Sequence, residues 1–263
     1  MLKRLEFVYF YCTRQSIALK PCFFYGHDMT HTPLALRVLE AYGGATLWTQ
    51  ASEMTAEFSL SGIGLMLKRR PKLEHAILEM DIQHQYIKIT PIGNDLGYSG
   101  VLDGDTVHIE NSEGIIKRER YNARMYFPYG RRLFYWDDLD MTYVAGYLLW
   151  NILAFPALLT RDDIHWSEKE PFVLTAEFPP TFHTHCRVQQ FHIDPDTLFI
   201  QQQTYVPEVV SGSMHVVQNM MDYDAKGEMP FPTITTFTFG KSLEAGAHQK
   251  MFAELNVHAM HIK

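Results

Sequence analysis

Residues 137–159 read DDLDMTYVAGYLLWNILAFPALL. Three aspartates stand at the front, where carboxylates suit the positive end of a helix dipole. Met141 to Leu159 then runs 19 residues without a charge, and Pro156 is placed to end or kink the helix. A stretch of that length reaches the lower limit for crossing a bilayer. Thr142, Tyr143, Tyr147, Asn151 and Pro156 interrupt its apolarity, and its flanks are acidic or mixed rather than basic on one side. Strand-like runs stand on both sides, so no integral membrane insertion is expected. A helix apolar nearly all round is otherwise buried, here inside or across the mouth of a curved sheet.

Outward from this stretch, the pattern is β. Before it, Thr55–Lys68 reads as one long strand in which Gly62 and Gly64 mark a bulge. Residues 74–82, 85–92, 97–102, 106–110 and 115–120 follow as strands, with Asp103-Gly104 as the clearest hairpin turn. After it come 172–178, 184–193, 198–206, 215–223, 233–239 and 252–257. Thr32-Pro33 starts a helix to about Ala41, and Trp48 sits in a second short helical turn. The reading is a mainly β (α+β) domain of eleven or twelve antiparallel strands, with a helix before them and a helical insertion over about 137–158.

The chain has 263 residues, 46% of them hydrophobic, enough to fill a core and exclude disorder as the main state. Its net charge of −7 argues against a nucleic-acid partner. The charge is uneven: residues 1–28 carry +2, leaving −9 for the rest. That opening segment reads as a loosely attached leader or upstream extension, with 29–263 as the domain. Lys3 and Arg4 precede a short apolar run, but no small-x-small cleavage site follows. Cys186 is the one cysteine beyond the leader, which favours a reducing, cytoplasmic setting. A periplasmic or membrane-associated setting through residues 1–28 is the alternative.

The order of elements resembles the bacterial lipoprotein-carrier (LolA/LolB-like) superfamily. The opening segment, Leu34 to Lys68 with Met-Thr-Ala-Glu-Phe at 54–58, is similar to that family's start. The resemblance spans about 33–258 and implies an unclosed antiparallel β-barrel, with helices covering a hydrophobic cavity. Tyr135-Trp-Asp-Asp-Leu-Asp140 with Tyr143, Gly146-Tyr147 and Trp150-Asn151 also resembles a pattern in soluble bacterial proteins of similar length, as does Thr184-His185 through Gln190-Phe191. These suggest no function to carry over.

Several constellations offer chemistry. Tyr143, Tyr147, Trp150 and Asn151 share one helix stripe and, with Gln190, form the candidate ligand wall. Asp140 and His185 are the candidate acid/base pair of an enzyme reading; against it stands helix capping by the aspartates. His183 and His185, two apart on an expected strand, share a face and form a weak metal candidate, with Asp137, Asp138, His192 or His215 as a third ligand. No metal or other cofactor is expected. Arg118, Arg120, Arg124, Arg131 and Arg132 suit an anionic head group, or a solvated edge balanced by nearby acids. G-x-S-x-G, Walker, dinucleotide, H-E-x-x-H and C-x-x-C motifs are absent. The residues thus point to a binding or carrier protein for a lipophilic or aromatic small molecule. An enzyme acting in the same cavity and a membrane-associated protein are the rival readings.

Overall fold

The structure, a computed structural model, describes residues 32–225, 227, 229–240 and 250–263. The leader, 1–28, lies outside the described residues.

Two helices open the described chain: α1 (Pro33–Ala41), capped by the Thr32 hydroxyl, and α2 (Gly44–Gln50). The strand β1 (Glu53–Ser61) follows, then a five-residue helix α3 (Ile63–Leu67). Five strands form the first meander: β2 (Leu73–Asp81), β3 (Tyr86–Thr90), β4 (Tyr98–Asp103), β5 (Thr106–Asn111) and β6 (Ile116–Arg120). Two short 3-10 turns lead to α4 (Asp138–Leu153) and α5 (Phe155–Leu158). A second meander ends the chain: β7 (His165–Glu170), β8 (Val173–Glu177), β9 (Val188–Ile193), β10 (Ile200–Tyr205), β11 (Val216–Asp224), β12 (Phe231–Phe239) and β13 (Met251–Ile262).

Among the described residues these thirteen strands make one antiparallel sheet, ordered β6-β5-β4-β3-β2-β1-β13-β12-β11-β10-β9-β8-β7. The first and last strands pair at its centre, Met54 opposite Ile262 and Leu60 opposite Leu255. The edges are β6 and β7, so the sheet is open, and residues 121–164 connect one edge to the other. Both edges are charged, with Lys117, Arg118, Glu119 and Arg120 on β6 and Glu168, Lys169 and Glu170 on β7. Charged side chains deter pairing with another chain. Register shifts in β1, β5, β7, β10 and β12 bend the sheet. Inward positions alternate, as with Met54, Ala56, Phe58 and Leu60 on β1.

Three expectations need correction. The strand expected over Thr55–Lys68 stops at Ser61. Gly62 adopts φ 131°, and its Cα lies so close to β13 that a Cβ would stand 2.4 Å from the Phe252 carbonyl oxygen. The chain therefore turns off the sheet into α3. The strand expected from Thr184 begins only at Val188, because a side chain from a distant turn holds the preceding segment: Gln85 accepts from the His183 N–H and donates to its carbonyl, both at 2.8 Å. Strand β7 escaped the sequence reading because its edge position leaves it charged rather than alternating.

The uncharged stretch divides at Ala154, with Pro156 in the first turn of α5. Helix α4 has 16 residues, about 24 Å at 1.5 Å per residue, against about 30 Å of bilayer hydrocarbon. Among the described residues no helix is long and apolar enough to cross a membrane. Its apolarity serves burial instead, since thirteen of its residues are inaccessible. One side lies against β3–β5, where Gly100 and Gly146 permit close approach. A Cβ on Gly100 would stand 2.2 Å from Thr142 Oγ1, and one on Gly146 3.0 Å from Leu102.

Candidate functional site

Another side of α4 borders open space rather than close packing. Met141, Val144, Ala145, Tyr147 and Leu148 face a cavity of about 630 Å³. Opposite them stand Leu60 of β1, Tyr205 of β10, Val216 of β11, Phe237 and Phe239 of β12, and Phe252 of β13. Helix α3 adds Leu65 and Leu67, and the turn before α4 adds Leu133, Phe134 and Trp136. The volume falls within the roughly 300–1,000 Å³ of small-molecule sites. Leu67 and Phe134 are 67% and 73% exposed, which places them at the mouth. The few polar side chains on the wall include Lys68, Tyr147, Tyr205 and His185.

Lys68 is tied down. Its ammonium donates to the carbonyls of Arg132 (2.9 Å) and Leu133 (2.7 Å), and burial lowers its pKa. His185 is held by ring contacts instead of hydrogen bonds. It is 4% exposed, and among the described residues neither ring nitrogen has a hydrogen-bond partner. Its ring lies face to face on Tyr205, with centroids 3.8 Å apart and planes 10° apart, while Tyr147 meets it edge-on at 5.1 Å. Burial, with a smaller contribution from the Arg124 charge, pushes its pKa down to about 3, so the imidazole is neutral near pH 7.

A stability prediction follows. An imidazole whose pKa is about 3 when folded, against 6.5 ordinarily, protonates first in the unfolded chain. The stability it allows is present above pH 6.5 and is lost as pH falls toward 3, by up to about 1.4 kcal/mol per pH unit. His183 and His192 are lowered chiefly by burial too, and act in the same direction. Urea melts at several pH values check this: the slope below pH 6.5 is expected to be shallower in His185→Phe.

The expected site residues scatter. Of the five expected ligand contacts, Tyr147 alone lines the cavity. The Tyr143 hydroxyl lies 3.0 Å from His183 Nδ1. The Trp150 indole donates to the carbonyls of Asp81 (2.8 Å) and His84 (3.1 Å), pinning the β2–β3 turn. The Asn151 amide donates to the carbonyls of Tyr147 and His183. Gln190 is exposed and accepts from Thr204 at 3.4 Å.

His183 and His185 lie before strand β9 rather than on it, so strand alternation does not set their directions. One pairs with Tyr143 and the other stacks on Tyr205. Among the described residues no three His, Cys, Asp or Glu side chains are grouped to hold a metal.

The aspartates serve the helix and the arginines. Asp137 and Asp140 form a reciprocal capping box, each carboxylate accepting the other's backbone N–H. Asp140 is fully buried and binds Arg120 (2.6 Å), Arg132 (2.7 Å) and Arg131 (2.8 Å), so it makes no pair with His185. Burial would raise the Asp137 carboxyl, but hydrogen bonds from Arg120 and the Asp140 N–H, with the charges of Arg120 and Arg131, bring it down to about 2. Asp138 pairs with Arg70 and Arg118. Arg124 donates to the Thr184 carbonyl (2.6 Å) and to Glu208 (3.1 Å). The five arginines thus have acid partners inside the protein, the balanced outcome rather than the anion site.

Sequence reasoning missed the cavity's other half, Tyr205, Val216, Phe237 and Phe252. Their place in alternating strands marks them as buried or half-buried, but nothing local says that α4 stands away from them.

No protein-family model matches the chain, and no curated protein does. Solved structures similar to it include a DUF1329 family protein from Desulfovibrio piger, 11% identical, covering 86% of this chain and 89% of that one at a TM-score of 0.46. A putative outer membrane lipoprotein-sorting protein domain from Vibrio parahaemolyticus is 10% identical, with 88% and 91% covered and a TM-score of 0.46. A LolA superfamily protein from Nitrosomonas europaea is 11% identical, with 87% and 93% covered and a TM-score of 0.46.

Proposed function

We propose that residues 29–263 act as one domain that binds a lipophilic small molecule in the cavity between α4 and strands β1 and β10–β13. The observation that carries this reading is the cavity itself: about 630 Å³, walled by aliphatic and aromatic side chains, with a mouth edged by exposed Leu67 and Phe134. Empty apolar space forfeits packing contacts, and a lipophile filling it recovers them. The enzyme reading draws less support, since Asp140 is held by three arginines and, among the described residues, the His185 nitrogens have no hydrogen-bond partner.

The fluorescence of N-phenyl-1-naphthylamine tests the proposal. Saturable binding at one site per chain is expected. Val144→Trp, which pushes an indole into the cavity, is expected to weaken it at least about tenfold while circular dichroism stays unchanged. Absence of saturable binding, or a Val144→Trp variant that binds like the wild type, overturns the reading.

A further inference from the structure

A small number of buried polar side-chain atoms among the described residues have no hydrogen-bond partner in the protein. They belong to Arg70, Asn151, Trp166, His185, Gln202 and Thr235. Of these residues, His185 alone lines the cavity. Its buried polar neighbours are satisfied. Gln189 donates to the Thr184 hydroxyl and the Cys186 carbonyl, Gln203 donates to Gln189, and Tyr205 donates to Gln218. A buried donor or acceptor left unpaired is costly, and this pair of nitrogens belongs to a residue of the cavity wall.

The stack on Tyr205 and the edge contact with Tyr147 hold the ring plane, so the nitrogens are left at the ring edge, fixed before any ligand arrives. A neutral imidazole offers one donor and one acceptor. A hydroxyl answers either: it donates to the bare nitrogen or accepts from the N–H, whichever tautomer is present. A carboxylate can only accept and would give up its hydration for one neutral partner, at high cost. Of the cations near the cavity, Arg124 is already engaged by Thr184 and Glu208 and Lys68 by two backbone carbonyls, while Arg69 is exposed to solvent.

We propose that His185 is the polar anchor of this cavity, and that the ligand it takes is a lipophile bearing an uncharged hydroxyl group. This rests on the cavity being a ligand site, and it adds the chemical class of the ligand and the side chain that selects it.

Displacement of N-phenyl-1-naphthylamine from the full chain at about pH 8, where carboxylic acids are ionised, separates the two. The competitors are 1-dodecanol, 1-chlorododecane and dodecanoate. For the wild type, 1-dodecanol is expected to compete about tenfold better than 1-chlorododecane, as one buried hydrogen bond predicts, and dodecanoate no better than the chloride. His185→Phe, which keeps a ring on Tyr205, is expected to erase the preference while still binding 1-chlorododecane. Imidazole nitrogen resonances of the wild type, shifted by 1-dodecanol and not by the chloride, give the same answer without a variant. Equal competition by alcohol and chloride, a preference for dodecanoate, or a preference retained in His185→Phe overturns the anchor and leaves the cavity standing. Failure of the probe and all three competitors to bind overturns the cavity reading, and the anchor with it.

Discussion

Asp140→Ala is expected to destabilise the fold by about 3–5 kcal/mol, the range for breaking a buried ion pair by removing one partner. Asp140 is completely inaccessible, and three guanidinium groups converge on it within 2.8 Å. Two of these, Arg120 and Arg132, are themselves only 12% exposed. Removing the carboxylate leaves three cations close together with Asp137 still paired to Arg120 and Arg131 but not to Arg132, and also removes half of the capping box of α4. The effect reaches the cavity. Arg131 and Arg132 belong to the turn that supplies Leu133, Phe134 and Trp136 to the cavity wall, and Arg120 ties that turn to the edge strand β6. Urea melts and a probe titration check both parts. Weaker binding of N-phenyl-1-naphthylamine should accompany the lost stability. A loss under about 1 kcal/mol would place the network among surface ion pairs of small value and refute the prediction.

The second large effect is expected at Gly62. Its φ of 131° is strained for any L side chain, and a Cβ would lie 2.4 Å from the Phe252 oxygen and 2.6 Å from the Ala253 Cα. Those are backbone atoms of the central strand β13, so no rotamer change relieves the clash. Gly62→Ala is expected to cost about 3 kcal/mol or more, combining backbone strain with overpacking. Gly104→Ala is the control. Gly104 also has a positive φ, 54°, but nothing lies within 4 Å of its added Cβ, so about 1–2 kcal/mol is expected there. Thermal and urea melts of the pair separate crowding from backbone strain. Equal losses at the two sites would show that the approach of β13 is not what requires glycine at 62.

Much of the fold was legible locally. The Asp137–Asp140 box and Thr32-Pro33 announce their helices because capping needs only side chains within one turn. Asp103-Gly104 announces its hairpin because the left-handed backbone of Gly104 is a local demand. Alternation predicts most strands because a sheet with one buried face repeats every two residues. Where such signals are missing, sequence reasoning missed too. Edge strand β7 carries charges where alternation was sought, and 183–187 alternate plausibly yet are drawn off the sheet by Gln85, 98 residues away from His183. The candidate site was less legible than the fold. Tyr147 and His185 were singled out and do line the cavity, but Tyr143, Trp150 and Asn151 share the Tyr147 stripe and direct hydrogen-bonding groups to His183 and to the β2–β3 turn.

By itself, then, the sequence determined the element types, the meandering antiparallel sheet, the burial of an uncharged helix and its insertion between two runs of strands. These follow from periodicity, capping and turn chemistry, which act over a few residues. The tertiary structure alone decided that β1 and β13 pair, that α4 packs on one part of the sheet and leaves a cavity over another, and that Asp140 meets arginines while His185 meets only rings. Such outcomes depend on distant side chains competing for the same space and the same hydrogen bonds. A pattern along the chain records that a residue is buried, and the packing of remote elements settles what it is buried against.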